Sequence, residues 1–485
     1  MIRSLNSQKA YSKTWVQGYL TVFITLTLTV VLALCLTLIE GVRRNTIRLE
    51  AECAVDAGMN SVLAEFHREL FAQYDLLFVD TSYGTSTPSY ERTASRLEKF
   101  VKRNLGEDEI LLSAISGDLL EMHLEETKVL GVSVASDQCG ASLRRQIAEY
   151  MYEKTGVVYF EKLLEWVNII EKNSLRESSW LSRSEEAEKQ LNIWVEEAQK
   201  KYPDKKISVD GWFQKVLWAL RGGILNLTVD MEELSHQSIT AENYLSHRKL
   251  LTGTTGLREA ISGQASWEQF LVQEYILEKT GRYGQEKEGS LLKYQTEYIL
   301  AGLESDIDNL KAVADALFVV REGANVLHIM GCDDKMYVIQ EISDGLAAAI
   351  MMPEASPVIQ ILVIAAWAGI ESVYDVKMLL AGEEVPLIKT QEQWIFGWDA
   401  AVANKTDRQA HQIGLCYADY LRIFMMLQDV ETMTDRMMDI IEMDIRQTPG
   451  NEWFRLDGCI DCLKVQFEIT GKNGYTYEIT RKYGY

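Results

Sequence analysis

The first chemistry the residues suggest is a serine nucleophile beside a lysine. Ser290-Leu291-Leu292-Lys293 has the S-x-x-K spacing of one helical turn, and Lys279-Thr280-Gly281 has the K-T-G form that completes such a site. Enzymes built on that pair need the serine motif first and the K-T-G strand far downstream, so that both line one cleft. Here the order is reversed. A second copy, Lys154-Thr155-Gly156, also follows a helical pattern, where glycine serves as a C-terminal stop. The motif reads as helix punctuation.

The remaining reactive residue types are scattered. Cys459-Ile460-Asp461-Cys462 is a lone C-x-x-C with no second pair at zinc spacing. It leads into a strand pattern, whereas a redox pair needs a helix N-terminus to stabilise its thiolate. Cys459 and Cys462 are read either as unpaired structural cysteines or as a local disulfide outside the cell. The six histidines, at 67, 123, 236, 247, 328 and 411, form no H-E-x-x-H. Asp333-Asp334 and Glu383-Glu384 lack the alternation of a calcium loop and read as solvated turns. Met425, Met426, Met433, Met437, Met438 and Met443 read as an adaptable packing face. No catalytic residue, metal site or cofactor is expected.

The elements around these residues say more. Only 6 of the 485 residues are proline, which favours long helices over a loop-rich sandwich, and 47% are hydrophobic, which excludes a disordered chain. The net charge of −22 is unevenly spread. Arg3, Lys9, Lys13, Arg43, Arg44 and Arg48 face Glu40 alone in the first 49 positions, a local balance of +5, so the rest carries −27. So acidic a body repels phosphates, and no nucleic-acid partner is expected.

Tyr19 to Ile39 runs 21 positions without a charge, enough at about 1.5 Å per residue to cross a hydrocarbon core of roughly 30 Å. The threonines at 21, 25, 27, 29 and 37 can bond back to helix carbonyls, and Trp15 and Tyr19 stand where an interfacial aromatic belt would be. A cleaved signal would be shorter and end in small residues, so the segment is read as a retained transmembrane helix. Lysine and arginine tie at three on each side, but the tail before Tyr19 has no acid. The expected topology is a single pass with residues 1–18 a cytoplasmic tail and the bulk of the chain extracytoplasmic.

Past Ile39, Ala51, Val55, Met59, Val62, Phe66 and Leu70 continue the helical period, which predicts one helix of about 55 residues, roughly 80 Å long. Residues 40–172 are read as a pilin-like helix followed by a small α+β region: a strand at Asp75–Asp80, a short helix near Arg92–Val101, two strands around Met122 and Leu124 and around Leu130 to Val134, and helices at Ala141–Glu153 and Phe160–Lys172. Residues 173–210, rich in Ser, Glu and Lys, are read as a variable insertion or linker. Residues 211–485 form a helical domain. Its helices are expected near Gly211–Leu220, Trp267–Lys279, Asp306–His328 and Arg408–Met443. Pro357–Ile370, at 14 residues, is too short to span and reads as a buried core helix. The chain closes with a hairpin, Leu463–Thr470 and Tyr475–Tyr483 around Gly471-Lys472-Asn473-Gly474. The fold class is mainly α with a few strands (α+β).

Several of these segments together carry a resemblance. Gly18 through Gly84, with the apolar helix, EAECAVDAGMNSVLAEFHREL and YDLLFVDTSYG, then Ser136-Asp137 with Gly140, Leu292–Asn309, Arg321-Glu322 with Asn325, Trp367 with Glu371-Ser372 and Asp375, and Leu380 through Lys389 to Trp394, resemble domain of unknown function family 5702. Its members are membrane-anchored, pilin-like or TadE-like proteins encoded near tight-adherence (Tad) pilus and type II secretion-like genes. The resemblance implies a structural or accessory role and carries over no catalytic residue. It also implies a prepilin-type cut after Gly18, before Tyr19. Pilins carry Glu five residues beyond that glycine, where this chain has Phe23, so an uncleaved anchor is the expected form.

The expected function is a non-enzymatic, membrane-anchored component of a Tad-like pilus or type II secretion-like surface assembly, with other pilin-like or assembly-machine subunits as partners. Gly18, Gly41 and Gly58 would allow close helix approach. The alternative is a single-pass surface receptor or cell-envelope enzyme with an extracellular ligand-binding domain.

Overall fold

The computed structural model describes residues 6–106, 122–154, 156–176, 179–209, 211–257, 265–403, 414–471 and 474–485, the side chains of the first helix from residue 19 onward. The described residues are predominantly helical, so the fold is mainly α with one small antiparallel sheet. Gly18, Thr155, Asp210, His411 and the Lys472-Asn473 turn centre lie outside what is described for backbone or side chain.

The first helix, α1, runs without interruption from Asn6 to Leu63. Its Tyr19–Ile39 part is long and apolar enough to cross a membrane and is exposed on every face. Thr25, Thr27, Thr29 and Thr37 bond back to carbonyls three or four residues earlier, so their hydroxyls are satisfied within the helix. From Ile47 onward one stripe of α1 is buried: Ala51, Ala54, Val55, Met59 and Val62. The helix stops at Leu63, before the expected continuation to Leu70. The His67 amide donates to the Phe78 carbonyl, and His67 Nδ1 accepts from Leu70, which caps a new helix, α2 (Arg68–Tyr74).

Beyond α2 come β1 (Val79–Asp80), α3 (Tyr90–Asn104), β2 (His123–Val134), α4 (Asp137–Tyr152), α5 (Val157–Lys172), α6 (Trp180–Lys201), α7 (Trp212–Arg221), α8 (Ala265–Lys279), α9 (Gln295–Ala301), α10 (Asp306–Met330), α11 (Asp333–Ala349), α12 (Ser356–Leu380), α13 (Tyr417–Met426), α14 (Val430–Arg446), β3 (Cys459–Thr470) and β4 (Thr476–Gly484). Short helical turns such as Trp398–Ala403 connect them.

The sheet is built on β3, with β2 on one edge and β1 and β4 end to end on the other, all antiparallel. Three corrections to the sequence reading follow from it. The strand expected over Asp75–Asp80 shrinks to Val79–Asp80, because β4 takes the rest of that edge. The two strands expected near 122 and 132 are one strand, whose bulges at 124–126, 129–131 and 133–134 break the alternation that marks a single strand. The helix expected over Arg408–Met443 is two, α13 and α14. Asp429 restarts the chain by accepting from the Thr432 amide, while Gln269 of α8 donates to the carbonyls of Met425, Met426 and Gln428.

Two apolar cores result. In the smaller, α1 and α3 cover one face of the sheet, with Val55, Met59, Leu97 and Val101 against Val465, Phe467 and Ile469. Gly58 is what lets the two helices meet: a Cβ there would lie 2.6 Å from Val101 Cγ2. Its close approach is therefore within the chain, while Gly41 faces open space. Gly58→Leu should destabilise the chain by roughly 1–3 kcal/mol through overpacking, measured by denaturant unfolding of the detergent-solubilised protein; an unchanged midpoint would refute the packing.

The larger core surrounds α12, which packs against α6, α7, α10 and α11 and is buried around most of its circumference, as a central core helix must be. The segment 173–210 belongs to this core and is no simple linker. Within it α6 buries Ser184, Ala187, Leu191 and Ala198 at helical spacing against α12. Small residues on its inner face hid this amphipathicity in a hydropathy reading.

Candidate functional site

The second half of α1 and the C-terminal strand form one rigid unit. β4 runs beside α1 in the same direction. At the near end the Arg44 guanidinium lies 4.0 Å from the Tyr475 ring centre and donates to its hydroxyl, and the Tyr477 hydroxyl donates to the Arg44 carbonyl at 3.3 Å. Midway, Arg481 bonds Asp56 at 2.7 Å and reaches Glu52 at 3.3 Å. At the far end the Tyr485 hydroxyl donates to the Leu63 carbonyl. The strap spans α1 from Arg44 to Leu63, so the apolar segment cannot swing independently of the sheet.

A second constellation holds the helical core together. Arg321 and Asn325 on α10, and Glu371, Ser372 and Asp375 on α12, share their inner faces at spacings of three and four. Arg321 donates to Asp375 Oδ2 through Nε at 3.0 Å and Nη2 at 2.9 Å, and Asn325 Nδ2 donates to the same oxygen at 3.0 Å. Lys389 donates to both Glu371 and Asp375. The two cations and two anions lie in side chains with no exposure. Burial alone would raise the Asp375 carboxyl, but Lys389 and Arg321 outweigh it and hold it below its ordinary value. Glu371 is raised by burial, against the pull of Lys389. Both ends of the network also grip backbone. Arg321 donates to the carbonyls of Pro386 and Leu387, and Glu371 accepts from the amides of Ile395 and Phe396. The arrangement is a fastening of the 385–396 loop onto two helices. In the sequence these residues stood out only within the family resemblance, since other charges on the same helices are exposed and burial of a charge beside its partner is decided by packing.

The sequence-derived candidates disperse. Tyr19 and Ile39 bound the exposed apolar part of α1. Cys459 and Cys462 are both buried and no disulfide joins them; three residues of strand separate their Cα atoms by about 10 Å, beyond disulfide reach. Ser290 donates to the Lys287 carbonyl, Lys293 gives its amide to Asp306, and the Lys279 ammonium pairs with Asp75, while Gly281 packs against the Lys293 carbonyl, so the two elements touch through backbone. His67 caps α2, and His328 stacks on Trp394 with centroids 4.9 Å apart. Met433, Met437, Met438 and Met443 are core residues. Among the described residues, no three His, Cys, Asp or Glu side chains stand close enough to hold a metal ion.

A cleft of about 350 Å³ lies where β2 meets α4 and is lined by Ser133, Asp137, Ser142, Arg145 and the Thr252–Leu257 loop. Its floor is strained. Gln138, Cys139 and Gly140 all have left-handed φ, and only glycine fits at 140, where a Cβ would meet Thr434 at 2.6 Å. Asp137 holds the bend by accepting from Val134 and Gly253. Ser133 and Ser142 share a hydrogen bond of 3.1 Å and Arg145 donates to Ser142, a cation that cannot take a serine proton. Arg145 also pairs with the buried Asp461 at 3.1 Å, so its charge is already met and the cleft is lined by mutually bonded polar groups.

A smaller cleft of about 240 Å³ between Arg282, Tyr283, Cys416 and Tyr417 borders the buried Glu297. Burial pushes its carboxyl up to about 7, against hydrogen bonds from Tyr417 and Tyr283 that lower it. The folded value lies above the ordinary 4.5, so this group's contribution to stability is complete below pH 4.5 and is lost as pH rises to about 7. Glu297→Gln, which stays neutral, should gain on the parent by about 3 kcal/mol across that interval. Urea unfolding at both pH values measures it; parallel pH dependence in the two proteins would refute it.

A family model described as "Family of unknown function (DUF5702)" matches residues 203–471. The chain belongs to the DUF5702 family. No curated protein and no solved structure matches it. The DUF5702 match covers α7 to α14 and β3, and α2, α4, α5 and α6, which also build the larger core, precede it. All the residues of the buried ion network fall within it, while α1 precedes it.

Proposed function

We propose that this DUF5702 chain is a non-enzymatic, membrane-anchored structural or accessory subunit of a Tad-like pilus or type II secretion-like surface assembly. Its tail is cytoplasmic and its acidic body lies outside. The observation that carries the reading is α1: one helix whose apolar first part is bare on all faces and whose second part is strapped to the sheet. A helix half in the bilayer and half packed on a globular head is the plan of pilin-like subunits. Val42 and Leu49 lend further support, since they stay exposed opposite the buried stripe, where a neighbouring helix would pack.

The test is isolation of native membrane assemblies with mass spectrometry of this chain. Co-isolation with pilin-like subunits supports the reading, and a mature N-terminus at Tyr19 would add prepilin-type processing. An intact monomer that stays apart from any assembly and retains a small ligand would overturn it. That result would favour the alternative, a surface receptor using the cleft beside Arg145.

A further inference from the structure

The strap between α1 and β4 sets the height of Tyr475 above the apolar segment. Arg44 is five residues past Ile39, about 7.5 Å along the helix. The polar layer on each side of a hydrocarbon core is roughly 5–8 Å thick. The Tyr475 ring, stacked on Arg44, therefore lies at the headgroup level. β4 climbs away from this point, toward Arg481 and Tyr485, so Tyr475 is at the membrane-proximal end of the strap. Gly471 and Gly474 close the turn before it, with the Gly471 amide on the Tyr475 carbonyl.

The chemistry at this level is that of an interface. Tyr475 keeps 39% of its surface exposed although Arg44 covers one face. Arg43 and Arg44 stand at this level with Glu40 below them, the Arg44–Glu40 contact of 3.5 Å is solvent-exposed and weak, and Arg48, one turn higher, is paired with Glu52 at 3.0 Å. Tyrosine seeks the headgroup layer, and arginine there pairs with lipid phosphate.

We propose that Tyr475, at the start of the strand strapped to α1, and Arg44 form a second membrane contact, seated among anionic phospholipid headgroups of the leaflet from which α1 emerges. The contact rests on α1 spanning the bilayer. It gives the sheet three fixed relations, to helix, headgroups and core, and so holds the body upright rather than free to tilt.

The full chain carrying the photo-crosslinker p-benzoylphenylalanine at 475 is reconstituted in phosphatidylglycerol–phosphatidylethanolamine vesicles. A second protein carries it at Trp453, which is 63% exposed and sits near His67, beyond the far end of α1. Flotation reads anchoring and mass spectrometry reads lipid adducts. Adduct at 475 with none at 453 is the expected result. Flotation without adduct at 475 overturns the contact and leaves the anchor standing, whereas failure to float overturns both. Because position 475 is an exposed ring, the substitution leaves the sheet core untouched.

Discussion

Asp375→Ala lowers the unfolding free energy of the chain by about 3–5 kcal/mol, the cost of leaving buried charge without its counter-ion. Asp375 is the shared acceptor of Arg321, Asn325 and Lys389, so its loss strands the Arg321 cation and leaves Lys389 to Glu371 alone, all in side chains that have no exposure. Replacing the ion pairs by apolar residues would not restore stability here, although it does in simpler buried pairs. Arg321 and Glu371 also satisfy four backbone groups of the 385–396 loop, and an apolar residue cannot. Denaturant unfolding of the detergent-solubilised protein reads the energy, and hydrogen exchange at Ile395 and Phe396 reads the loop. If Asp375→Ala leaves both unchanged, the network is not what fastens that loop.

The second large effect concerns partition. Leu26→Arg, Val30→Arg and Leu34→Arg together add roughly 8–10 kcal/mol to inserting α1 in a bilayer. The chain should move from the membrane fraction to the soluble fraction. The head should unfold within about 0.5 kcal/mol of the parent, because these positions make no contact with either core. Fractionation by alkaline carbonate wash followed by denaturant unfolding checks both halves of the expectation. A triple variant that stays in the membrane would remove the anchor from this reading; one that unfolds would show that the head depends on that stretch.

How legible the molecule was depends on the range of the interactions involved. The apolar run from Tyr19 to Ile39 and its helical continuation are local patterns, and α1 follows them. The alternation of Val465, Phe467 and Ile469 with polar neighbours is local too, and β3 and β4 form where it predicts. Breaks in elements were not legible. The stop at Leu63 depends on Phe78 reaching back to His67, and the division of α13 from α14 on Gln269, more than 150 residues earlier in the chain. Bulges in β2 disguised one strand as two.

The residues of the ion network show the same division. Arg321, Asn325, Glu371, Ser372, Asp375 and Lys389 could be picked out in the sequence only as part of a family resemblance, with no role attached. Their spacing on α10 and α12 is sequence; that they face one another around Lys389 is packing. By itself the sequence determined the apolar span, the split of charge between a basic foot and an acidic body, and the predominance of helix, because each follows from composition and short-range period. Only the tertiary structure decided that a strand from the far end of the chain straps the anchor helix. It also decided which charges are buried together, since both depend on contacts between residues tens to hundreds of positions apart.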